Sequence, residues 1–287
     1  MTLVTCGAEL SPHSVREARG ARPQLVQVHS LPAMLLAITR KVSPALACCE
    51  LSFVPRQPID LALACQQHSA YERMLESLGA RVLSLPAEPD LPDSIFVEDP
   101  AIVLDELAVM LSPGVESRRK EVDSLVKALE PYRPLARIAL PGTLEGGDIL
   151  RLGRKLFVGV TRRSNAEGIR QLAATVAPHD YEVVSVPVHG CLHLKSAVTC
   201  LGRNTLLANR EWFDPAPFCG VKWLRVAPEE PQAANALAIG DTVIFPASFP
   251  RTRERMEQAG FKVASLDISE LQKAEAGLTC SSLIFES

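Results

Sequence analysis

The chain has 287 residues, of which 47% are hydrophobic, and this is enough to bury a large core in one large domain or two small ones. Its formal net charge is -3 and its 30 Lys and Arg residues are scattered, so the sequence lacks the basic field that would attract nucleic acid or an anionic membrane. No apolar stretch approaches the roughly 20 residues that span a bilayer, so we expect no transmembrane helix.

The chain begins with a segment that we expect to be an irregular extension. Residues 1–33 mix acidic and basic residues and show no apolar core followed by a small-residue cleavage site, which is unlike a secretory signal. After this segment the sequence predicts a strand at residues 34–41, a helix at residues 59–78 and a strand at residues 80–86. These three elements form a first unit.

Four hairpins follow, and each consists of two apolar, strand-like runs on either side of a turn. The turns lie at residues 105–106, 153–154, 202–203 and 240–241. Helices are predicted at residues 116–129, 164–176 and 251–259. Further strands are predicted at residues 182–188 and 262–268. After the third hairpin, prolines interrupt a short helical segment near Glu211.

The hairpins recur about 40 to 50 residues apart, within the range of repeat architectures. The repeated unit consists of two strands, a helix and a third strand. The first unit lacks one hairpin strand, and the segment LTCSSLIFE at the other end of the sequence supplies a spare one. If this segment pairs with the strand at residues 34–41, five units close into a ring with no free edge. The sequence therefore predicts an α/β fold of five pseudo-equivalent units.

The loop before the first strand of each hairpin carries chemically reactive side chains, and in a radial arrangement these loops meet near the axis. The loops hold Glu98, Asp99, Glu145, His193, Asn235 and Cys280. A thiol beside a histidine can be activated as a thiolate. Neighbouring carboxylates would bind a cation and keep the histidine protonated. The set, in which Asn235 has no catalytic role that we can assign, suits attack by a thiol on a positively charged carbon.

The cysteines favour a reducing environment. Eight cysteines form no regular framework, and no two of them have the C-x-x-C spacing of zinc ribbons and thioredoxins. We therefore expect free thiols and a cytoplasmic protein. Cys191 and His193 are spaced like a metal-binding pair, but no second pair is spaced to complete a structural zinc site, so we expect no metal.

Six segments of the sequence resemble the dimethylarginine dimethylaminohydrolases of the guanidino-group-modifying (pentein) superfamily. They are LPDSIFVEDP, PGVESRRKEV, LEGGD, FVGVTRRSNAEG, LHLKS and GLTCSSL. The resemblance implies a five-bladed α/β propeller in a single catalytic domain over residues 34–287. It also implies hydrolysis of asymmetric dimethylarginine and monomethylarginine to citrulline and an alkylamine through a covalent thiouronium on cysteine, with no cofactor.

The resemblance further implies a role for each site residue. Cys280 would be the nucleophile, His193 the general acid and base, and Glu145 a carboxylate that helps to hold the guanidinium. The other residues that would bind the small guanidino substrate are Asp93, Glu98, Asp99, Arg118, Arg163 and the backbone carbonyls near Leu51 and Ala274. Among these, the acidic side chains would contact the guanidinium and the α-amino group, and the two arginines would bind the α-carboxylate.

The sequence departs from the family at two positions near the site. Ser112 stands where the family commonly has an arginine, and Glu275 stands where it has the shorter aspartate. The segment CCELSFVPRQP, at residues 48–58, occupies the place of the substrate lid. Residues 1–33 have no counterpart in the family.

Taken singly, several of these residues also have structural explanations. A free cysteine such as Cys280 is most often an inert buried residue, and Asp93 would serve equally well as a turn cap. Arg118 and Arg163 each stand beside a second arginine, and only the resemblance selects between the neighbours.

Alternative functions remain for the chain as a whole. An arginine deiminase would use the same thiol and histidine but resembles a longer chain with an inserted helical domain. An agmatine deiminase would have no use for two arginines that grip a carboxylate. A non-catalytic propeller that binds a macromolecule would not need the thiol, histidine and carboxylate together. The oligomeric state is open, with a homodimer among the alternatives.

Overall fold

The computed structural model describes residues 34–287, and the predicted N-terminal extension at residues 1–33 lies outside the described residues. Fifteen strands form five sheets of three strands each. The strands are β1 (Leu35–Arg40), β2 (Arg81–Leu85), β3 (Ala101–Val103), β4 (Ala108–Met110), β5 (Leu135–Arg137), β6 (Ile149–Leu152), β7 (Lys155–Val160), β8 (Glu182–Pro187), β9 (Val198–Gly202), β10 (Thr205–Ala208), β11 (Lys222–Arg225), β12 (Leu237–Ile239), β13 (Thr242–Pro246), β14 (Lys262–Leu266) and β15 (Leu283–Glu286).

Every sheet has the same arrangement of strand directions, one antiparallel and one parallel pair, as the repeat in the sequence predicts. In four sheets a hairpin of two antiparallel strands is followed by a third strand that pairs in parallel with the second hairpin strand. The helices are α1 (Leu61–Ser77), α2 (Glu121–Leu129), α3 (Ala166–Val176), α4 (Leu194–Ala197), α5 (Pro250–Gln258) and α6 (Ser269–Gln272). The five-unit α/β propeller is confirmed.

The first sheet closes the ring. Strand β1 pairs in parallel with β2 and antiparallel with β15, so that Leu36 lies opposite Phe285 and Ile38 opposite Leu283. These four side chains share one buried cluster, whereas the intervening Ala37 belongs to a different cluster that packs against α1. The alternation follows the two-residue period of a strand, and it shows that both faces of the sheet are buried. The predicted pairing of the terminal strand is confirmed.

Side-chain caps mark the start of two helices, α1 and α3. The Asp60 side chain accepts a hydrogen bond from Leu63 N at 3.0 Å and caps α1, and the Asn165 side chain caps α3 by accepting from Gly168 N at 2.8 Å. The helix predicted over residues 116–129 begins as a separate 3-10 turn at Glu116–Arg118 and becomes α-helical only at Glu121. This interruption directs the Arg118 side chain inward.

The segment after the third hairpin differs from the prediction of a short helix. No helix forms near Glu211 among the described residues, and the chain passes through turns to β11. Strand β11 was not apparent in the sequence because its four residues, KWLR, are too few to show a period and have charged side chains at both ends. No helix within residues 34–287 is long and apolar enough to cross a bilayer.

We expect a chain that ends at Ser282 to be less stable than the full chain. The truncation removes β15, including buried Leu283 and Phe285, and leaves β1 with an unpaired edge. Two buried side chains of this size contribute about 3 to 6 kcal/mol, so the thermal midpoint should fall by on the order of 10 °C. Circular dichroism melts and sedimentation would measure the loss of stability and any association. Cys280→Ser, which keeps β15, is the control, and a truncated chain that melts like it would contradict the closure.

Candidate active site

The loops that precede the first strands of the hairpins meet as the sequence predicts. Asp99 lies before β3, Glu145 before β6, His193 at the start of α4, and Cys280 in a 3-10 turn before β15. A small cavity of about 20 Å³ lies among them. Of the residues that the sequence singles out, it is lined by Asp93, Asp99, Arg118, Arg163, His193, Ala274, Glu275 and Cys280.

The two glycines of the LEGGD segment make this convergence sterically feasible. A Cβ atom on Gly146 would lie 2.0 Å from the Glu98 carbonyl oxygen, and one on Gly147 would lie 2.5 Å from His193 Nδ1. Neither clash could be relieved without moving a loop of the site. The glycines therefore allow Glu145, Glu98 and His193 to approach one another closely.

His193 and Glu145 form a buried ion pair. His193 Nε2 lies 2.6 Å from Glu145 Oε2, and Gly114 N donates to the other carboxylate oxygen at 3.0 Å. Burial by itself would lower the pKa of His193, but the charges of Asp99, Asp148 and Glu145 and the hydrogen bond to Glu145 outweigh it and raise that pKa to about 9. The imidazole is therefore charged at neutral pH.

The pKa of the Glu145 carboxyl is shifted in the opposite direction to that of His193. Burial would raise its pKa, but the hydrogen bond and charge of His193, with the charges of Arg118 and Arg163, hold the pKa of Glu145 well below its usual range. Glu145 is therefore ionised at neutral pH, and it orients the histidine. His193 Nδ1 lies 3.9 Å from Asp99 Oδ1, too far for a direct hydrogen bond, and so remains available on the side of Asp99.

Arg118 is buried in an acidic pocket. Its Nη1 donates to Asp99 Oδ2 at 2.7 Å, and its Nε and Nη2 donate to the two oxygens of Glu121 at 3.1 and 2.8 Å. Nη2 also makes a 3.4 Å contact with the Asp93 carbonyl oxygen. A guanidinium has five N–H donors, so one donor on Nη1 is left for a ligand. Glu121 was not apparent as a site residue, although it lies three positions after Arg118.

Arg163 is buried but more loosely held. Its Nη1 lies 3.3 and 3.5 Å from the two oxygens of Glu145, and its Nη2 lies 3.4 Å from Ser52 Oγ. These contacts are long for a charge-assisted hydrogen bond. Arg163 can therefore change partners when an anion binds.

The surroundings of Cys280 keep its thiol protonated in the resting protein. Burial raises the pKa of Cys280, and the negative charges of Glu98 and Asp99 raise it further. Gly277 N makes a 3.4 Å contact with Sγ and opposes the effect. The resting protein therefore has a neutral thiol and a charged imidazole, and the activation of Cys280 as a thiolate stays a prediction.

Glu98 and Asp99 are adjacent in sequence but diverge in the structure. Glu98 accepts a hydrogen bond from Lys195 Nζ at 2.5 Å and one from Thr279 Oγ1 at 2.8 Å. It lines a different cavity from the one that contains His193 and Cys280. The structure therefore places Glu98 beneath the loop of Cys280 and does not bring it together with the other predicted substrate-binding residues.

Asn235 supports the same loop. Its amide nitrogen donates to Thr279 Oγ1 at 3.0 Å and to the Lys195 carbonyl at 3.1 Å, and its oxygen accepts from Thr279 N at 3.1 Å. A Cβ atom on Gly277 would lie 2.3 Å from the Asn235 side chain. The residue for which the sequence suggested no catalytic role thus holds the turn that carries Cys280.

Asp148, the last residue of LEGGD, joins three loops of the site. Its carboxylate accepts from Thr161 Oγ1 at 2.7 Å, from Ser164 Oγ at 2.6 Å and from Leu194 N, beside His193, at 2.9 Å. Complete burial raises its pKa to about 6, against the opposing effects of His193 and these hydrogen bonds. The sequence contained the signal for Asp148 in the motif, but its contacts depend on the fold.

Residues 48–58, which we call the lid loop, cover the site. Glu50 N donates to both oxygens of Asp93, at 3.3 and 3.1 Å, and burial raises the pKa of that carboxyl. Leu51 lies beside this contact but does not line the cavity, whereas Ala274 does. The predicted lid segment is therefore in contact with the site, and the Leu51 role stays a prediction.

One group of side chains has the composition of a metal site. Single ligand atoms of Asp99, Glu145 and His193 lie within 4.8 Å of one another. An ion there would have to displace the 2.6 Å hydrogen bond between His193 and Glu145. The expectation of no metal stays a prediction.

Comparisons with known proteins identify close relatives. The family model described as N,N dimethylarginine dimethylhydrolase, eukaryotic, matches residues 55–215. An N(G),N(G)-dimethylarginine dimethylaminohydrolase of Pseudomonas aeruginosa is 37% identical over 228 residues, covering 79% of this chain and 90% of that protein. A protein of the same name from Streptomyces coelicolor is 37% identical over 254 residues, covering 86% and 95%.

Solved structures agree with the sequence comparisons. A cysteine-to-serine mutant of DDAH from Pseudomonas aeruginosa, complexed with citrulline, superposes with a TM-score of 0.83 at 34% identity, covering 88% of this chain and 100% of that one. A histidine-to-glycine dimethylarginine dimethylaminohydrolase, as an adduct with S-methyl-L-thiocitrulline, has a TM-score of 0.84 at 35% identity, covering 87% and 99%.

The His193–Glu145 pair predicts a titration that can be measured. The imidazole of His193 should titrate near pH 9, and Glu145→Gln should lower that pKa because it removes a carboxylate partner. Proton NMR of the imidazole, assigned with His193→Gln, would measure both values. A wild-type pKa near the ordinary 6.5 would contradict the ion pair.

The raised pKa of His193 also predicts how the stability of the protein depends on pH. Because the folded pKa lies above the unfolded value of 6.5, the stabilisation from His193 is fully present below pH 6.5 and is lost as pH rises through about 9. The shift corresponds to on the order of 3 kcal/mol. The difference in free energy of unfolding between wild type and His193→Gln, measured by denaturant titration at pH 6 and pH 10, should shrink at the higher pH.

Proposed function

The chain belongs to the dimethylarginine dimethylaminohydrolase family, and we propose that it hydrolyses Nω-methylated arginines to citrulline and an alkylamine. The observation that carries the proposal is one small cavity lined by the thiol of Cys280, the charged imidazole of His193 and the carboxyl group of Asp99, with the ionised Glu145 hydrogen-bonded to His193. A methylated guanidinium is a delocalised cation, and such a site is complementary to its charge.

The cavity and the lid loop beside it would together offer a partner for each polar group of the substrate. Asp99 would hold the guanidinium, and Asp93 would hold the α-amino group with the carbonyls of Leu51 and Ala274. The α-carboxylate would take the remaining Nη1 donor of Arg118 and the loosely bound guanidinium of Arg163. Two arginines and two acidic side chains around one cavity would therefore select an α-amino acid that carries a guanidinium.

Binding of the substrate would itself activate Cys280. The thiol pKa is raised by burial and by nearby negative charge, so a guanidinium beside the sulfur lowers it again. His193 is already protonated and cannot accept the thiol proton, so that proton leaves to water. The thiolate then adds to the guanidinium carbon and forms a tetrahedral adduct.

His193 would act first as the general acid and then as the general base in the remaining steps. Its imidazolium, held by Glu145 through Nε2, gives the Nδ1 proton to the departing amine, and the C–N bond breaks to leave an S-alkylthiouronium on Cys280. The neutral imidazole next takes a proton from water, and the resulting hydroxide adds to the same carbon. The hydroxyl proton of this second adduct then passes to the departing sulfur as the C–S bond breaks, which releases neutral citrulline and restores the resting thiol.

Location and assembly belong to the same proposal. A reducing cytoplasm is supported by the seven free cysteines among the described residues. The partner would be the small guanidino substrate alone, with neither nucleic acid nor a membrane, and the homodimer stays a prediction.

A substrate panel tests the proposal. Asymmetric dimethylarginine and monomethylarginine should each yield citrulline and the matching amine, whereas agmatine, which has no carboxylate for Arg118 and Arg163, should react at least about 100-fold less efficiently because two charged contacts are lost. Colorimetric detection of citrulline, with mass spectrometry for products of agmatine, would measure the rates. Faster turnover of unmethylated arginine or of agmatine would contradict the substrate class.

The nucleophile can be tested separately. Cys280→Ser should fold and melt like wild type but release no measurable citrulline, because an alcohol is far harder to ionise than a thiol. Mass spectrometry of acid-quenched wild type should find a substrate adduct on the peptide that contains Cys280. Citrulline release by the serine variant would overturn the assignment.

A further inference from the structure

The lid loop is held in place by polar contacts of its backbone. All side chains from Ser52 to Pro58 are exposed, including Phe53 at 49% and Val54 at 37%. Apolar burial therefore contributes little to holding this segment over the site. The contacts that do hold it are hydrogen bonds.

Glu275 accepts three of these hydrogen bonds. Three consecutive backbone N–H groups of the lid loop point at its carboxylate: Ser52 N donates to Oε2 at 2.9 Å, Val54 N donates to Oε1 at 2.7 Å, and Phe53 N donates to Oε1 between them. Successive amides that converge on one anion form a strong anion-binding concavity. Both oxygens of Glu275 are used in this contact.

The backbone of Glu275 is itself unusual. Its φ is +59°, in the left-handed region that a residue with a Cβ atom seldom adopts, and glycine would adopt it more easily. A strained residue persists where the surrounding structure uses its side chain. At this position the carboxylate is the group that glycine would lack.

The contact also fixes the orientation of one peptide plane. The Ser52 N–H belongs to the same planar unit as the Leu51 carbonyl, and in a trans peptide the two groups point in opposite directions. An N–H that is bound to Glu275 therefore determines where the Leu51 carbonyl points. Ala274, whose carbonyl is the other proposed backbone ligand of the α-amino group, is the residue directly before Glu275.

We propose that Glu275 is a positioning residue that latches the lid loop closed and aligns the Leu51 carbonyl for the substrate's α-amino group. The alignment rests on the proposed function, whereas the latch does not. The cavity of about 20 Å³ beneath the lid loop is far smaller than the several hundred Å³ of a typical ligand pocket, so substrate entry requires this latch to open. The strength of the Glu275 contact then sets the fraction of open protein.

Two variants separate the latch from general stability. Glu275→Gly removes the carboxylate and relieves the positive φ, so it should melt near wild type. Glu275→Gln keeps one acceptor oxygen and loses the charge. Glu76→Gln, on the exposed face of α1, is the matched control.

Hydrogen exchange of the substrate-free protein measures the latch directly. In Glu275→Gly the amides of Ser52, Phe53 and Val54 should exchange at least about tenfold faster than in wild type, because a hydrogen bond to a charged group is worth that factor or more. Glu275→Gln should lie between the two, and Glu76→Gln should match wild type. Exchange in Glu275→Gly that equals wild type would overturn the latch, whether or not the protein turns over methylated arginine.

Substrate kinetics test the alignment. The two substrates are asymmetric dimethylarginine and its analogue in which hydrogen replaces the α-amino group. In wild type the KM of the analogue should exceed that of the amino acid, and in Glu275→Gly this ratio should shrink about tenfold while the kcat ratio stays unchanged. An unchanged KM ratio would overturn the alignment. Failure of wild type to hydrolyse either substrate, to citrulline from the amino acid and to the desamino ureido acid from its analogue, would overturn the proposed function and leave the exchange result intact.

Discussion

Strand β15 pairs with β1 across the whole length of the described chain, and this pairing places Cys280, in the turn just before β15, beside loops from the other units. Each unit alone offers one reactive loop and an incompletely buried sheet. When the ring closes, the edge of β1 is paired and Phe285 joins the core formed with α2. The same contact thus completes the hydrophobic core and assembles the site, so stability and chemistry depend on one strand pairing.

A site built from five converging loops contains more buried charge than one loop could support. Asp99, Arg118 and Glu121 form one connected group, and Glu145 with His193 and Arg163 forms another. Each charge is acceptable because an opposite charge or a hydrogen bond lies within about 3 Å of it. The acidic excess around Cys280 and His193 has a functional consequence, because it keeps the imidazole charged and the thiol neutral until a cation enters.

Much of the fold followed from patterns that lie within a few residues of each other. Turn residues such as Gly153 and Gly202, both at positive φ in the structure, marked the hairpins, and the alternation of apolar residues marked their strands. Strand β11 was not predicted because a short strand with charged residues at both ends resembles a loop in sequence. The start of α2 was misplaced because Glu116–Arg118 form a separate 3-10 turn, in which Arg118 makes a tertiary hydrogen bond to Asp99 that the local sequence does not show.

The sequence by itself determined the five-unit repeat, the ring closure and the residue types at the site. Periodicity and motif spacing can be recognised from residues that are close together in sequence. Only the tertiary structure decided the protonation of Cys280, the separation of the Glu98 and Asp99 side chains, and the contact of Glu275 with the lid loop. A pKa depends on burial and on charges close in space, and those charges come from loops far apart in sequence. A hydrogen bond across more than 200 residues likewise exists only once the ring has closed.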